Sequence, residues 1–354
     1  MSQKNFWLIR RAAVMAVIFA AALIVGCGYS GLDESGSEEG EEIVIVVPSD
    51  GKSAISSLVS EYERINNDSE IKLINIGGTD EEAYRLCVSL LLDKKFNADI
   101  LIIDDVWLSA FADKNLVSEI TDIDDKVFIP AARRAMTFND KIYGIPIYAD
   151  AMASFEKYGG NSNAVMYFED GASDMAAHIR DGIDNGLSLG AAHKAYAEAT
   201  KCKALSEFID SDAGVLKTWI SQLDVIQKYY PMAAVNMKIK LDDNALVRTK
   251  LAIINKESRS YNKSLKLIKY LLSDKSQQNI MSNMPGVPVL QKNYGDVYTA
   301  DRLTYIDGID GEKFCTFPFS VDFKENEFNL EKTRESNASY EETERALEYM
   351  ANPQ

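Results

Sequence analysis

The sequence predicts an α/β fold whose first part is a mainly parallel sheet flanked by helices. Three short apolar runs, EIVIVVP, IKLINI and ADILIID, have the length and the β-branched content of strands. A segment with helical periodicity follows each run. The first five elements therefore have the order β-α-β-α-β, and a third helix comes next. Strands in this order are expected to be parallel, with right-handed crossovers and helices on both faces of the sheet.

The segments after these strands place apolar residues at helical spacing. The first, SAISSLVSEYERIN, is expected to bury one face, formed by Ile55, Leu58, Val59, Tyr62 and Ile65. The second opens with Thr79 and Glu82 at the spacing of a capping box, and its predicted inward residues are Leu86, Cys87, Leu90 and Leu91. The third segment, DVWLSAFADKN, continues directly from the third strand as a helix.

The carboxyl ends of the predicted strands are the expected place for a ligand, because loops and helix N-termini meet there. The residues at these ends are mostly small and polar, with one large aromatic among them: Ser49, Asp50, Thr79, Asp104, Asp105 and Trp107. Carboxylates accept hydrogen bonds from hydroxyl groups, and an indole packs against C–H groups, so this set suits a sugar. For each polar residue alone, a turn or cap role is the alternative, and for Trp107 it is a place in the core.

The first 26 residues have the order of a secretory signal. A basic start precedes an apolar run, Ala12–Val25, whose 14 residues are few for spanning a bilayer. The run ends in LIVGC, which resembles the lipobox of bacterial lipoproteins and implies cleavage before Cys27 and lipid on its thiol. An ordinary signal peptide or a single membrane anchor is the alternative. Residues 27–42 are small and acidic, so we expect a solvated tether.

The chain that remains after cleavage is strongly acidic. Loss of three positive charges changes the formal net charge from −16 to −19. Such a chain is not expected to bind nucleic acid, and it should approach anionic lipid only through its anchor. Beside Cys27, three cysteines remain without a CxxC motif, namely Cys87, Cys202 and Cys315, so the fold does not depend on a set of disulfides.

Two motifs, for phosphate binding and for zinc binding, are incomplete in the sequence. DGKS ends like a phosphate-binding loop, but Val46 stands where that loop needs its first glycine. The only histidines, His178 and His193, are too far apart for an HExxH zinc pair. We therefore expect a binding protein without enzymatic activity, metal or cofactor.

Four segments in order resemble the extracellular solute-binding proteins, family 1, of bacterial ABC importers for sugars: ADILIIDDVWLSAFADKNLV, FIPAA, KIYGIPIYADA and KSLKLIKYLLSDKSQQNIMSNMPGVPVL. The resemblance covers most of residues 43–300. It implies a two-lobe, type II periplasmic-binding-protein-like fold, in which each lobe is a mainly parallel sheet flanked by helices and hinge strands join the lobes. The implied lobes are 43–148 plus 253–299, and 149–252 plus 300–354.

The segment YGIPIYADA is similar to the first hinge strand of that family. Strand alternation directs Tyr148 and Asp150 toward the ligand while the isoleucines face packing, and in the family the acidic residue at this place accepts sugar hydroxyls. The alternative is that Asp150 caps the next helix. In the second lobe, LKTWISQLDVIQKYYPMAAVN has helical spacing, and its Trp219 is either a stacking platform for the ligand or a core residue.

The resemblance implies a lipid-anchored monomer on the extracytoplasmic face of the cell membrane, which captures a carbohydrate and delivers it to ABC permease subunits. The second lobe departs from the family, because it lacks the usual Pro-Pro-x-x-Trp helix start and is shorter before the second crossing. Two alternatives therefore stay open. One is the same fold with a non-sugar ligand, such as a peptide or another polar metabolite, and the other is a degenerate binding protein that acts as a sensor or interaction subunit.

Overall fold

The computed structural model describes residues 42–48, 52–67, 70–77, 80–93, 98–169, 172–241, 245–283 and 286–295, and the backbone of 306–307 and 315–316. These residues belong to one compact unit, Glu41–Gln354. The predicted signal sequence, the lipidated cysteine, and the tether up to residue 41 lie outside the described residues. In the described part of the chain, no helix is both long and apolar enough to cross a membrane.

A parallel arrangement of three strands forms from the first part of the chain. β1 (Ile43–Pro48) lies between β2 (Ile71–Ile76) and β3 (Ile100–Asp104) and is parallel to both. α1 (Lys52–Ile65) follows β1, and α2 (Asp80–Leu92) follows β2. The predicted β-α-β-α-β order is thereby confirmed. β1 is buried up to its last residue, as expected for a strand that is covered on both faces.

The two helices bury the predicted faces, with an exception on each. On α1, Ile65 is the last residue and is 57% exposed, whereas the other four predicted residues are buried: Ile55, Leu58, Val59 and Tyr62. On α2, Cys87 and Leu91 are buried four residues apart and define the inward stripe, and Leu90 is half-buried beside them. Leu86 is exposed, because one residue corresponds to a rotation of about 100° around the helix from Cys87.

Short elements follow β3 and lead the chain to the long strand β6. They are a 3-10 turn at Asp105–Trp107, α3 (Leu108–Asp113), a second 3-10 turn at Asp125–Val127, α4 (Pro130–Ala135), β4 (Thr137–Phe138) and β5 (Lys141–Ile142). The predicted helix after the third strand is thus present. Pro130 of the segment FIPAA is the first residue of α4, where a missing N–H breaks no intrahelical hydrogen bond.

One long strand connects the two parts of the sheet. β6 (Gly144–Lys157) pairs antiparallel with β11 (Leu246–Ile254) through Ala151, and from Met152 onward it pairs antiparallel with β9 (Ala213–Trp219). β11 in turn pairs antiparallel with β3. The strand order is therefore β2-β1-β3-β11-β6-β9-β7-β8, and the sheet is mixed because β11 and β9 run against their neighbour β6.

Strands and helices alternate in the second part of the chain as well. Its elements, besides β9, are β7 (Asn161–Phe168), α5 (Ala172–Asp184), α6 (Leu189–Glu198), β8 (Thr200–Cys202), α7 (Leu205–Ile209), α8 (Gln222–Tyr229), α9 (Pro231–Ala234) and β10 (Met237–Lys240). β7 is parallel to both β9 and β8, and β10 is antiparallel to β6. β12 (Ile306–Asp307) pairs with β10, and β13 (Cys315–Thr316) pairs with β11.

Trp219 ends a strand, and the helix predicted for its surroundings starts three residues later, at Gln222. The prediction from helical spacing is wrong for residues 216–219. These residues belong to β9, which has β6 on one side and β7 on the other. Ladder hydrogen bonds to two neighbouring strands outweigh the local pattern, because strand preference depends strongly on tertiary context.

The late helices and the segment PGVPVL bind the outer edge of β6. α10 (Tyr261–Leu271) buries Leu267, Ile268 and Leu271, while Leu272, directly after it, is only half-buried. From α11 (Asp274–Asn283), the buried Gln277 amide donates to the carbonyl oxygens of Ile147 (3.1 Å) and Leu271 (2.9 Å). The Val287 N–H donates to Ala149 O at 2.7 Å. Backbone acceptors of β6 that face away from β11 are satisfied in this way.

Gly286 makes a close approach to β6 that a larger residue would prevent. Its φ is +145°, and a Cβ atom at this position would lie 2.1 Å from Ala149 O. We expect Gly286→Ala to lower the free energy of unfolding by about 2–4 kcal/mol, from backbone strain plus overpacking, as measured by urea denaturation. Gly159→Ala is the matched control, since Gly159 has φ +81° but no atom within 4 Å of the added methyl. Equal losses in both variants would show that the approach to Ala149 is unimportant.

Candidate functional site

Five polar or aromatic side chains lie together where β3, β11 and β6 run side by side. The antiparallel register places Lys250 opposite Asp104 on one side and Tyr148 on the other, and it places Arg248 opposite Asp150. Residues directly opposite each other in antiparallel strands have their side chains on the same face of the sheet. We call this set, Asp104, Tyr148, Asp150, Arg248 and Lys250, the junction cluster.

Ion pairs organise the cations of the junction cluster. The Lys250 Nζ atom lies 2.8 Å from Asp104 Oδ1, and Arg248 Nη2 lies 3.7 Å from Oδ1 of Asp174, on α5. All four side chains keep a minor part of their surface exposed. Pairs that are this far desolvated interact more strongly than surface pairs, although their desolvation offsets part of the gain. The cluster thus presents both hydrogen-bond donors and acceptors in fixed positions.

Asp150 uses one carboxylate oxygen to hold the backbone. Its Oδ1 accepts hydrogen bonds from the N–H groups of Ala151 (2.9 Å) and Ser221 (3.1 Å). Ser221 immediately precedes α8, so the carboxylate supports the start of that helix and not of the next helix along the chain. Burial raises the pKa of Asp150 to about 6, although the hydrogen bonds from Ser221 and Ala151 favour the ionised form. The side chain itself is partly exposed beside Arg248.

Asp105, directly after β3, is the most buried carboxyl group near the junction cluster. It is 1% exposed, and its Oδ2 accepts from the Thr249 N–H at 2.8 Å. Its Oδ1 and the Thr249 hydroxyl both find no hydrogen-bond partner among the described residues. Burial raises the pKa of Asp105 to about 7, the Thr249 N–H opposes this, and the nearby Asp104 charge adds to it. Asp105 therefore exchanges its proton near neutral pH.

Trp219 is covered by charged groups of the same region. The indole Nε1–H donates to Asp174 Oδ1 at 3.1 Å, and the Arg248 guanidinium carbon lies 4.4 Å from the centroid of the ring. Trp219 is 7% exposed and packs in a small apolar cluster with Met152 and Met175. Val106, from the turn after β3, packs against the same cluster. Residues from both parts of the sheet thus meet around this tryptophan.

The other predicted site residues are placed differently. Trp107 is buried and packs edge-on against Tyr84, with ring centroids 5.5 Å apart, so it lies in the core, which was the alternative for this residue. Tyr148 belongs to the junction cluster but is buried as well. Ser49, Asp50 and Thr79 lie outside the described residues. A role in ligand binding stays a prediction for all five.

Three charged residues of the site were missed from the sequence, namely Arg248, Lys250 and Asp174. Arg248 and Lys250 are half-buried and alternate with buried neighbours along β11, and this polar-apolar alternation in VRTKLAII was the available signal. Asp174 lies near the start of α5, far from β11 in sequence. Sequence alone offers no signal that it meets Arg248.

Histidine and cysteine side chains in the described residues do not form a metal site. His178 is buried beside Tyr167, its Nε2 lies 2.7 Å from Phe168 O, and burial lowers its pKa to about 4. The neutral ring donates from Nε2 to that carbonyl oxygen. Cys87 and Cys202 are buried free thiols. Within the described parts of the chain, no group of three or more His, Cys, Asp or Glu residues could hold a metal ion.

The raised pKa of Asp105 predicts a pH-dependent contribution to stability. The folded state keeps this proton up to about pH 7, whereas an unfolded chain releases it near pH 4, so stability falls as the pH rises between these values. Asp105→Asn removes the titratable carboxyl group but retains a side-chain oxygen that can accept from the Thr249 N–H. We therefore expect the melting temperature of Asp105→Asn, relative to wild type, to rise by several degrees from pH 5 to pH 8, as measured by calorimetry. Exposed Asp113→Asn is the control, and parallel profiles for wild type and Asp105→Asn would contradict the expectation.

Solved structures share this fold, although no protein-family model and no curated protein sequence matches the chain. The sugar-binding protein MalE from the phytopathogen Xanthomonas citri is 13% identical, with a TM-score of 0.72 over 88% of this chain and 96% of that one. The maltose-bound MalE3 of T. maritima is 14% identical, with a TM-score of 0.71 over 88% and 98%. The GacH receptor of Streptomyces glaucescens, solved unliganded and with acarbose, is 12% identical, with a TM-score of 0.70 over 90% and 100%. The chain has the two-lobe α/β fold of periplasmic binding proteins, as predicted.

Proposed function

We propose that this protein is the lipid-anchored, substrate-binding component of an ABC importer, which captures a sugar or an oligosaccharide between two lobes and delivers it to the permease. The observation that carries the proposal is the position of the junction cluster. It lies on β3, β11 and β6 at the place where one part of the sheet passes into the other. The solved structures with this fold include one with bound maltose and one with acarbose, which supports a sugar as the ligand class.

The proposed lobes are 43–148 plus 253–299, and 149–252 plus 300–354. The register of β6 supports a boundary near residue 148, because β6 exchanges β11 for β9 as its partner between Ala151 and Met152. Rotation of the lobes about this short stretch would open and close a cleft above the junction cluster. A ligand that contacts both lobes binds the closed form more tightly and shifts the population toward it. The permease then recognises the closed form.

The chemistry of the junction cluster suits hydroxyl groups. Asp150 and Asp104 accept hydrogen bonds, Lys250 donates them, and each hydroxyl of a sugar does both. Hydrogen bonds to charged groups contribute about 1.5–3 kcal/mol each, so two or three of them give useful affinity without a large apolar surface. The site requires no reacting group, and capture followed by release is its whole activity.

A second candidate function is supported by the burial of the aromatic residues. Trp107 and Tyr148 are buried, and Trp219 is covered by Arg248, so these three rings do not form an open stacking surface in this conformation. The same fold with another polar ligand, or a binding protein that has become a sensor or interaction subunit, fits that observation. Ligand screening separates these functions from sugar import.

Asp150→Asn tests the proposed sugar site. The amide oxygen of Asn can still accept from the Ser221 N–H, so the melting temperature should change little, whereas a sugar hydroxyl loses its charged acceptor. We expect sugar affinity to fall by about 10- to 100-fold, which corresponds to ~1.5–3 kcal/mol. Thermal shifts identify the ligand among mono- and oligosaccharides, with amino acids and peptides as controls, and calorimetry gives the affinity.

The matched control for this test is Asp113→Asn, because Asp113 is exposed at the end of α3 and does not belong to the junction cluster. A large loss of stability with unchanged affinity in Asp150→Asn would assign Asp150 a structural role only. If no sugar shifts the melting temperature but a peptide or an amino acid does, the proposed ligand class changes from sugar to peptide or amino acid. No shift with any compound, in a protein that melts cooperatively, would favour the sensor or interaction subunit.

The proposed anchor is tested with Cys27→Ser. We expect the variant to move from the membrane fraction to the soluble extracytoplasmic fraction and to lose incorporation of labelled fatty acid, because the thiol is the site of attachment. Cys202→Ser is the control, since Cys202 is a buried thiol of the folded part. Persistent membrane fractionation of Cys27→Ser would instead indicate an uncleaved membrane anchor.

A further inference from the structure

The Arg248 guanidinium lies over one face of the Trp219 ring. The guanidinium carbon lies 4.4 Å from the ring centroid, and the Arg248 side chain is 25% exposed, whereas Trp219 is 7% exposed. The outermost group at this place is therefore the guanidinium and not the indole. A planar guanidinium covers an aromatic face well, because it is more weakly hydrated than an ammonium group and stacks on the ring.

Asp174 fixes both groups in this arrangement. Its Oδ1 accepts the indole N–H at 3.1 Å and lies 3.7 Å from Arg248 Nη2. The three side chains form a closed triangle in which each contact restricts the other two. Asp150 lies opposite Arg248 in the neighbouring strand, so a second carboxylate is close to the guanidinium. An Arg248 side chain that leaves the ring therefore still has a carboxylate to approach.

We propose that Arg248 is a specificity-determining residue that covers the Trp219 face and is displaced by a ligand carrying several neighbouring hydroxyl groups. This inference rests on the proposed function, since it assumes that the same site binds a sugar. A pyranose has a C–H face for the indole and hydroxyl groups for Asp174, so it replaces both contacts that the guanidinium gives up. An apolar or aromatic ligand replaces only the stacking and offers no hydroxyl group in place of the guanidinium contact with Asp174, which disfavours it.

Fluorescence quenching tests the covering contact without any ligand. The chain contains three tryptophans, and Trp7→Phe with Trp107→Phe leaves Trp219 as the only one. In that background we expect Arg248→Ala to raise the acrylamide quenching constant of Trp219 at least twofold, because the covering group is gone. Asp174→Asn should raise it as well, since its amide oxygen can keep the indole hydrogen bond while its lost charge releases the guanidinium.

Lys250→Ala is the matched control for the quenching experiment. Lys250 lies two residues from Arg248 on the same strand and the same face, and it pairs with Asp104 instead of covering the ring. Quenching of Trp219 should therefore stay unchanged in Lys250→Ala. Unchanged quenching in both Arg248→Ala and Asp174→Asn would overturn the proposal, because the face would then be covered by other groups. Thermal melts of every variant identify those that do not fold. If Arg248→Ala does not fold, the quenching of Asp174→Asn tests the proposal in its place.

Removal of Arg248 and removal of Lys250 are expected to change sugar affinity in opposite directions. With maltose, maltotriose and acarbose as probes, we expect Arg248→Ala to bind the recognised sugar about tenfold more tightly than wild type, because no internal competitor remains. Arg248→Lys should lie between the two, since an ammonium group does not lie flat on the ring. Lys250→Ala should bind more weakly, because a donor of the proposed site is lost.

The outcomes separate this inference from the proposed function. Equal or weaker binding by Arg248→Ala than by wild type overturns the inference alone, and weaker binding identifies Arg248 as a direct ligand contact. Failure of wild type and Arg248→Ala to bind any of a wider sugar panel overturns both the inference and the proposed function. Tighter binding together with higher quenching supports the inference, and the preference for hydroxyl-rich ligands is checked with phenyl β-glucoside and phenol, of which only the glucoside should bind.

Discussion

The antiparallel pairing of β6 with β11 is the constraint on which the rest of the structure depends. β6 is one continuous strand of 14 residues that serves both parts of the sheet. A shift of its register by one residue would turn Tyr148 and Asp150 to the opposite face and separate them from Lys250 and Arg248. The register is held from the other edge as well, because Gln277 and the segment after Gly286 occupy the outward carbonyl groups of β6. The late helices thus contribute to the site without supplying a side chain to it.

Periodicity in the sequence was sufficient for the first part of the fold and insufficient for parts of the second. Around β1, strand and helix patterns agree with the packing, so the buried positions on α1 and α2 could be predicted, except that Ile65 and Leu86 are exposed and Leu90 is only half-buried. Around Trp219, the local pattern is helical although the residue ends a strand. Hydrogen bonding to β6 and β7 decides the structure there, and both partners are distant in sequence.

The candidate site shows the same division between local and distant information. Asp150 could be predicted to face polar surroundings, because strand alternation and the similarity of YGIPIYADA to a hinge strand can both be recognised within a few residues. The triangle of Trp219, Asp174 and Arg248 could not, because its members come from β9, α5 and β11 and meet only through the sheet register and helix packing. Trp107 is a further example, because its place at a strand end suggested a ligand contact, whereas its packing against Tyr84, 23 residues earlier in the chain, had no local signal.

Carboxylates with raised pKa values fit the role proposed for this junction. Asp105 and Asp150 have pKa values raised by burial, to about 7 and about 6, in a region that also contains Arg248. The protein holds these groups in a partly desolvated environment, where each hydrogen bond to a charge is stronger than in water and each missing partner is costly. A ligand whose hydroxyl groups replace the internal ion pair therefore gains strong hydrogen bonds but also breaks strong ones, so its net binding free energy is smaller than the sum of the bonds it forms. A balance of this kind favours release as well as capture, which a delivering protein requires and a storage protein does not.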